Sequence, residues 1–261
     1  MPPIDKVNMS KNPLLSIITV SAFDEERLSK TMNSLLRIPK NIEHIAVIPE
    51  NDLSSLVVWK KIRKISNAKF KVIHDKNYGV YEAMNLGVHE ATGDYICFWN
   101  AGDELISRSA LTVLTATLQT VLPTWLICQG DFSWHEPQIL KNSELQGFVL
   151  NEPHKFISHQ TVISKKEFFI DLGGFDTRFK VVADTAMITL MIGVKFPYFE
   201  KNKVVKVETP KFASINQRRA RAEIFLIALL YLKRKQRIKA IYNIFLREVL
   251  NISKKSLKNR F

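Results

Sequence analysis

The loop Asn100-Ala101-Gly102-Asp103-Glu104 carries oxygen ligands at a position where chemistry is plausible. It follows the apolar run Tyr95-Ile96-Cys97-Phe98-Trp99. A run of that length and character reads as a strand covered on both faces. In open α/β sheets, ligands bind beyond the carboxyl ends of such strands. The carboxylate of Asp103 and the amide of Asn100 suit a divalent cation, Mg2+ or Mn2+, above all one that also takes phosphate oxygens as ligands. The plainer reading of Asp103 is a cap for the helix that follows.

The elements that must position this loop are legible around it. From Asn77 to Asp103 the chain reads turn, helix, tight turn, strand and acidic loop. Gly79 breaks the chain, Val80, Ala83, Met84, Gly87 and Val88 recur at helical spacing, and Gly93-Asp94 is a turn. Upstream, Leu15 to Val20 is a first buried strand. Asp24 caps the helix after it, with Leu28, Met32, Leu35 and Leu36 as the apolar stripe. Ile45 to Ile48 is a second strand, and a helix to about Ile65 follows with Leu56, Val57, Ile62 and Ile65 inward. Phe70 to Ile73 is a third strand. This alternation predicts a doubly wound, mostly parallel sheet with right-handed crossovers and helices on both faces. There is no Gly-x-Gly-x-x-Gly and no Walker loop, so phosphates would be neutralised by a metal or by basic side chains.

The stretch from Asp75 to Asp103 resembles the nucleotide-sugar-binding core of the family 2 glycosyltransferases. The residues that carry the resemblance are Asp75 or Asn77, Gly79, Tyr81, Glu82, Ala83, Met84, Asn85, Gly87, Ala91 to Asp94 and Asn100 to Asp103. Further resemblances are Ser16-Ile17-Ile18-Thr19-Val20, the His159-Gln160 loop before an apolar strand, Leu172-Gly173-Gly174-Phe175-Asp176, and Val182-Ala183-Asp184 at a helix start. The family implies the GT-A fold and inverting transfer of a sugar from a nucleotide-diphosphate donor, UDP-linked, in bacterial surface-polysaccharide synthesis. It implies Mn2+ or Mg2+ held by Asp103, with His159 as a further ligand or a diphosphate contact. It implies Asp184 as the general base. Ser21, Phe23, Glu26, Asp75, Asn77, Tyr81, Asn85, Asn100 and Ala101 would line the donor pocket. Two positions depart from the pattern: Pro49 stands where the family places a nucleoside-binding Asp, and Ala186 where a second acid often follows the base. Glu50 or Asp52 is a candidate substitute for the first.

Composition sets the remaining bounds. The chain has 261 residues, 46% hydrophobic and 24% charged, ordinary for one large α/β domain plus a tail. Cys97 and Cys128 both lie in apolar runs and read as buried thiols. The polar stretch at the N-terminus has no apolar h-region, so a cytoplasmic protein is expected. The net charge of +13 is concentrated at the end, where residues 233–261 carry ten basic residues and one acidic one, Glu248. That imbalance favours an anionic partner. The expected boundaries are a leader over 1–13, a GT-A domain over 14–212 and a basic amphipathic helical segment over 213–261. The last would rest on the inner face of the membrane, beside a lipid-linked or saccharide acceptor. No nucleic-acid-binding motif accompanies the charge. The alternative reading is an inactive GT-A-fold partner protein at the membrane.

Overall fold

The computed structural model describes residues 13–66, 68–76, 78–132, 157–208 and 216–232, with 234, 237, 238, 241 and 242 besides. Strand β1, Leu15–Val20, is buried throughout and pairs in parallel with β2, Ile42–Pro49, and with β4, Tyr95–Phe98. Strand β3, Lys69–Asp75, extends the parallel set beyond β2. On the other side the arrangement turns mixed. β7, Val162–Lys165, runs antiparallel to β4 and to β6, Trp125–Phe132. β8, Tyr198–Val207, is parallel to β6 and antiparallel to the two-residue β5, Glu104–Leu105. The full order is β3-β2-β1-β4-β7-β6-β8-β5. β8 escapes sequence reading because Glu200, Lys201, Asn202 and Lys203 interrupt its apolar residues.

Alternate residues of β1 feed opposite faces, as the period of a strand requires. Ile18 and Val20 join a core with α3, Val80–Glu90, and α6, Ala183–Val194. Leu15 and Ile17 join a second core with α4, Arg108–Thr120. Helices α1, Glu25–Ser34, and α2, Leu53–Ile65, close a third cluster around Met32, Ile48 and Trp59. A short α5, Lys166–Asp171, and α7, Gln217–Tyr231, complete the described helices. Asp24 caps α1 and Asp52 caps α2, each accepting a backbone N–H of the first turn.

One expectation is corrected. In α2, Val57 and Ile65 face solvent, at 65% and 66% exposure, while Trp59 and Ile62 are buried. The inward stripe runs through Ser55, Trp59 and Ile62, and the other two lie off its phase. In α7, Leu226 and Leu230 are exposed and Glu223, Ile227 and Ala228 are buried. This helix packs on α6 and contributes to the main core. The rest of the basic segment, with Lys233, Lys235, Lys239 and everything from 243 on, lies outside the described residues, as do the leader to residue 12 and the stretch 133–156. Both cysteines are free and buried.

Gly87 sits where α3 crosses β1 and β2. A β-carbon there would meet Ile18 Cγ2 at 2.5 Å and Val47 Cγ2 at 3.2 Å. Alanine gains about 1 kcal/mol over glycine in a helix, but overpacking a tight core costs about 1–3 kcal/mol. The overlap is with stiff β-branched side chains of the central strands, so the cost outweighs the gain. Gly87→Ala is expected to lower the melting temperature by several degrees, read by calorimetry.

Candidate active site

The loop after β4 is built by hydrogen bonds from three directions. Trp99 and Ala101 donate their N–H groups to Ile18 and Val20 carbonyls, carrying the chain past the end of β1. From α1, Thr31 Oγ1 accepts the Gly102 N–H at 2.8 Å and donates to the Asn100 carbonyl at 3.3 Å. Ser34 Oγ accepts the Leu105 N–H at 3.0 Å. Gly102 has φ +104, and a β-carbon there would overlap the Glu208 carboxylate, which is paired with Arg27 at 2.7 Å. Asp103 points inward and is 1% exposed. Its Oδ2 accepts the Asn100 N–H at 2.7 Å and its Oδ1 accepts the Glu208 N–H at 2.9 Å. Burial pushes this carboxyl up to about 6, against the pull of those hydrogen bonds and of His159.

A second group of residues meets this loop. His159 opens a single 3-10 turn, His159–Thr161, just before β7. Its Nδ1 lies 2.8 Å from Asp184 Oδ2, and its Nε2 lies 3.4 Å from Asn100 Nδ2. Asp184 is in the first turn of α6, with its side chain 22% exposed. Its Oδ1 accepts from Tyr81 Oη at 3.1 Å and from its neighbour Thr185 N–H at 2.8 Å. Burial raises this carboxyl, but the hydrogen bond and charge of His159, with Thr185 and Tyr81, hold it below the usual range. The Tyr81 phenol is pushed well up by burial and by Asp184, so it stays protonated. The single Tyr81 O–H is shared with the Val181 carbonyl, 2.9 Å from Oη. In the neutral imidazole, an Nδ1–H given to Asp184 leaves Nε2 as the lone-pair nitrogen.

Of the residues expected around a donor, Tyr81 and Asn100 belong to this connected group, and Ala101 is buried beside it. Ser21, at the end of β1, is buried, and its Oγ donates to the Asp24 carbonyl. Phe23 stands 54% exposed in the same loop, with φ 53, and its N–H goes to Asp52 Oδ2 at 2.7 Å. Asp75 ends β3 opposite Pro49. Asn85 makes a two-point clamp on the Phe175 backbone, 2.8 Å to the carbonyl and 2.9 Å from the N–H, away from the acidic loop. Glu26 is on the solvent side of α1, paired with Lys30 at 3.3 Å. Asn77 lies outside the described residues. Sequence reasoning missed Thr31, Arg27 and Glu208, whose side chains or backbone set the loop. Thr31 and Arg27 carried a signal, being polar residues on the first helix of a binding crevice; Glu208 carried none.

The family model described as "Glycosyl transferase family 2" matches residues 16–173, more than half of the chain. The chain belongs to glycosyl transferase family 2. Its fold is GT-A. The PGL/p-HBAD biosynthesis glycosyltransferase of Mycobacterium bovis is 30% identical over 119 residues, 43% of this chain and 44% of its own length. The chain therefore spans under half the length of that relative. TarS of S. aureus, residues 1–349, superposes with a TM-score of 0.65 at 15% identity, over 88% of this chain and 70% of that one. The same TarS fragment has been solved with UDP and with UDP-GlcNAc. The mannosyltransferase PcManGT of Pyrobaculum calidifontis, in complex with GDP-Man and Mn2+, superposes with a TM-score of 0.60 at 15% identity, over 90% of this chain and 69% of that one. The family match ends before Asp184, which lies in the part of the fold contributed by α6.

The residues present fit a cation that is shared with a substrate. Among the described residues, no three His, Cys, Asp or Glu side chains converge to hold an ion by themselves. Asn100 Oδ1, however, is buried with no hydrogen-bond partner, beside an imidazole whose other nitrogen is fixed by a carboxylate. A carboxylate behind a histidine in this way orients it as a metal ligand. A cation held by so few protein ligands would take its remaining oxygens from a bound phosphate or from water.

Thr31→Val keeps the shape of the side chain and removes the hydroxyl that braces the loop. It leaves the buried Gly102 N–H unpaired, which costs about 1–3 kcal/mol. The expected result is a lower melting temperature with unchanged far-ultraviolet circular dichroism.

Proposed function

We propose that the protein transfers a sugar from a nucleotide-diphosphate donor, UDP-linked, to a lipid-linked or saccharide acceptor in cell-surface polysaccharide synthesis, with inversion. The observation that carries this reading is the contact between two groups of residues far apart in the chain: His159 is 2.8 Å from Asp184 and 3.4 Å from Asn100. Family membership and the nucleotide-sugar complexes of TarS and PcManGT support the donor class. Inversion, the UDP preference and the pathway are supported by the resemblance of the motifs.

In this reading the acceptor oxygen bonds to the anomeric carbon as the bond from that carbon to the phosphate oxygen breaks. The nucleoside diphosphate leaves, and the acceptor's proton passes to Asp184. That carboxylate is ionised throughout the neutral range, because it is hydrogen-bonded by His159, Tyr81 and Thr185. Tyr81 stays protonated and fixes the orientation of Oδ1, which leaves Oδ2, the oxygen shared with His159, a further lone pair for the incoming proton. Asp103, Asn100 and His159 are the residues that would hold Mn2+ or Mg2+, which supplies Lewis-acid stabilisation of the departing diphosphate. Burial raises the Asp103 carboxyl to about 6, which leaves it mostly ionised at neutral pH, and a cation alongside would favour the carboxylate further. Phe23 presents an exposed ring at the end of β1, where a base could stack. The basic segment after α7 would bring the enzyme to an anionic membrane surface.

A second reading, an inactive GT-A-fold partner, is favoured by the burial of Asp103 and by Pro49 at the nucleoside position. The two are separated by a screen of UDP-sugars with Mn2+. For an enzyme, UDP-sugar raises the melting temperature only in the presence of the cation, and turnover is measurable. Asp184→Asn is expected to lower turnover by about 10²–10⁴-fold, the usual worth of a general base, with that thermal shift retained. His159→Ala is expected to abolish the cation dependence of the shift. Full turnover in Asp184→Asn would overturn the role given to that carboxylate.

A further inference from the structure

Helix α6 begins without a capping side chain. Its N-cap is Val182, which has no oxygen to offer, and the two residues before it are Lys180 and Val181. Buried backbone N–H groups must find acceptors, and for the segment leading into α6 a residue from a different helix supplies them. Glu223, on the inner face of α7, is 5% exposed. Its Oε1 accepts the Lys180 N–H at 2.9 Å, and its Oε2 accepts the N–H groups of Val181 at 2.9 Å and Val182 at 3.2 Å. Arg219, one turn back, donates to Oε1 at 2.8 Å and balances the charge. Burial raises the Glu223 carboxyl, but Arg219 and the three backbone donors hold it below the usual range. The same short segment is held from the other side, because the Val181 carbonyl accepts from Tyr81. Asp184 follows two residues after the last of these N–H groups.

We propose that Glu223 is a positioning residue: its carboxylate anchors the backbone that leads into α6 from across the fold and so sets where Asp184 meets His159. The proposal rests on Asp184 being the proton acceptor only for its effect on rate; its geometric part stands on the hydrogen bonds alone. It gives α7, which lies outside the matched family segment, a role in the site. Stability is the simple alternative for a buried, fully bonded carboxylate, so the test needs a readout that stability does not move.

The contact between His159 and Asp184 provides it. Long-range proton–nitrogen NMR of the imidazoles, with His159 assigned through a His159→Gln variant, reports the Nδ1 hydrogen bond without any donor. Glu223→Gln keeps the size of the side chain and removes one of its two accepting oxygens. The expected result is a shifted His159 Nδ1 signal, in the direction produced by Asp184→Asn. With the best UDP-sugar of a panel and Mn2+, kcat should fall by about tenfold or more, as a misplacement of about 1 Å allows, while KM for the donor stays within about twofold, since the fall is a transition-state loss. Should Glu223→Gln fail to fold, Glu223→Asp retains the charge with a shorter reach, and the same two signals are read. An unchanged His159 signal together with an unchanged kcat, in a variant that has lost only melting temperature, would overturn the proposal. Full turnover in Asp184→Asn would instead sink the proton-acceptor reading, and the NMR result would then decide the positioning claim by itself.

Discussion

An ionised carboxylate set against an apolar wall is the constraint on which the site depends. Asp184 shares a small crevice with Phe98, Phe175, Met187 and Ile188, side chains that offer it nothing. A buried charge without partners costs far more than the few kcal/mol by which a domain is stable. Every donor that reaches Asp184 must therefore be in place before the charge can stay. Tyr81 comes from α3, His159 from the turn before β7, and Thr185 from α6 itself. Satisfying one carboxylate fixes the relative placement of three elements that share no strand pairing with one another. The same logic applies to Asp103, whose two oxygens bind the loop after β4 to the end of β8, though there burial outweighs the hydrogen bonds.

The parallel half of the fold was legible because its signals are local. Buried strands read as unbroken apolar runs, and Asp24 announces the helix it caps. The phase of α2 was misread because Val57 and Ile65 are apolar residues on a solvent face, and hydrophobic residues are often exposed. The packing of α7 on α6 was not legible for a different reason. Positive charge dominates this end of the sequence, while the inner face of α7 is written in only a few residues, one of them a glutamate. A buried acid cannot be told from a surface one until its partners are known, and the partners of Glu223 are backbone groups some forty positions earlier. The motifs name residue types only. That Asn85 bonds to the Phe175 backbone and Glu26 pairs with Lys30 follows from direction, which a motif does not encode.

The departures at positions 49 and 186 are explained by the neighbours they have. Pro49 closes β2 in register with Asp75, and of the two acids that follow, Glu50 is exposed and Asp52 is spent on the cap of α2 and on the Phe23 N–H. That bond holds Phe23 in a left-handed conformation, sparsely populated for an aromatic residue, with its ring outward. The side chain presented at this end of the sheet is thus an exposed aromatic ring. Ala186 is 1% exposed and packed in the main core. An acid there would sit in apolar surroundings one helical position pair from Asp184, and two such carboxylates so close would not both ionise. With alanine in that place the negative charge stays on a single residue, and its histidine, tyrosine and backbone partners act on it undivided.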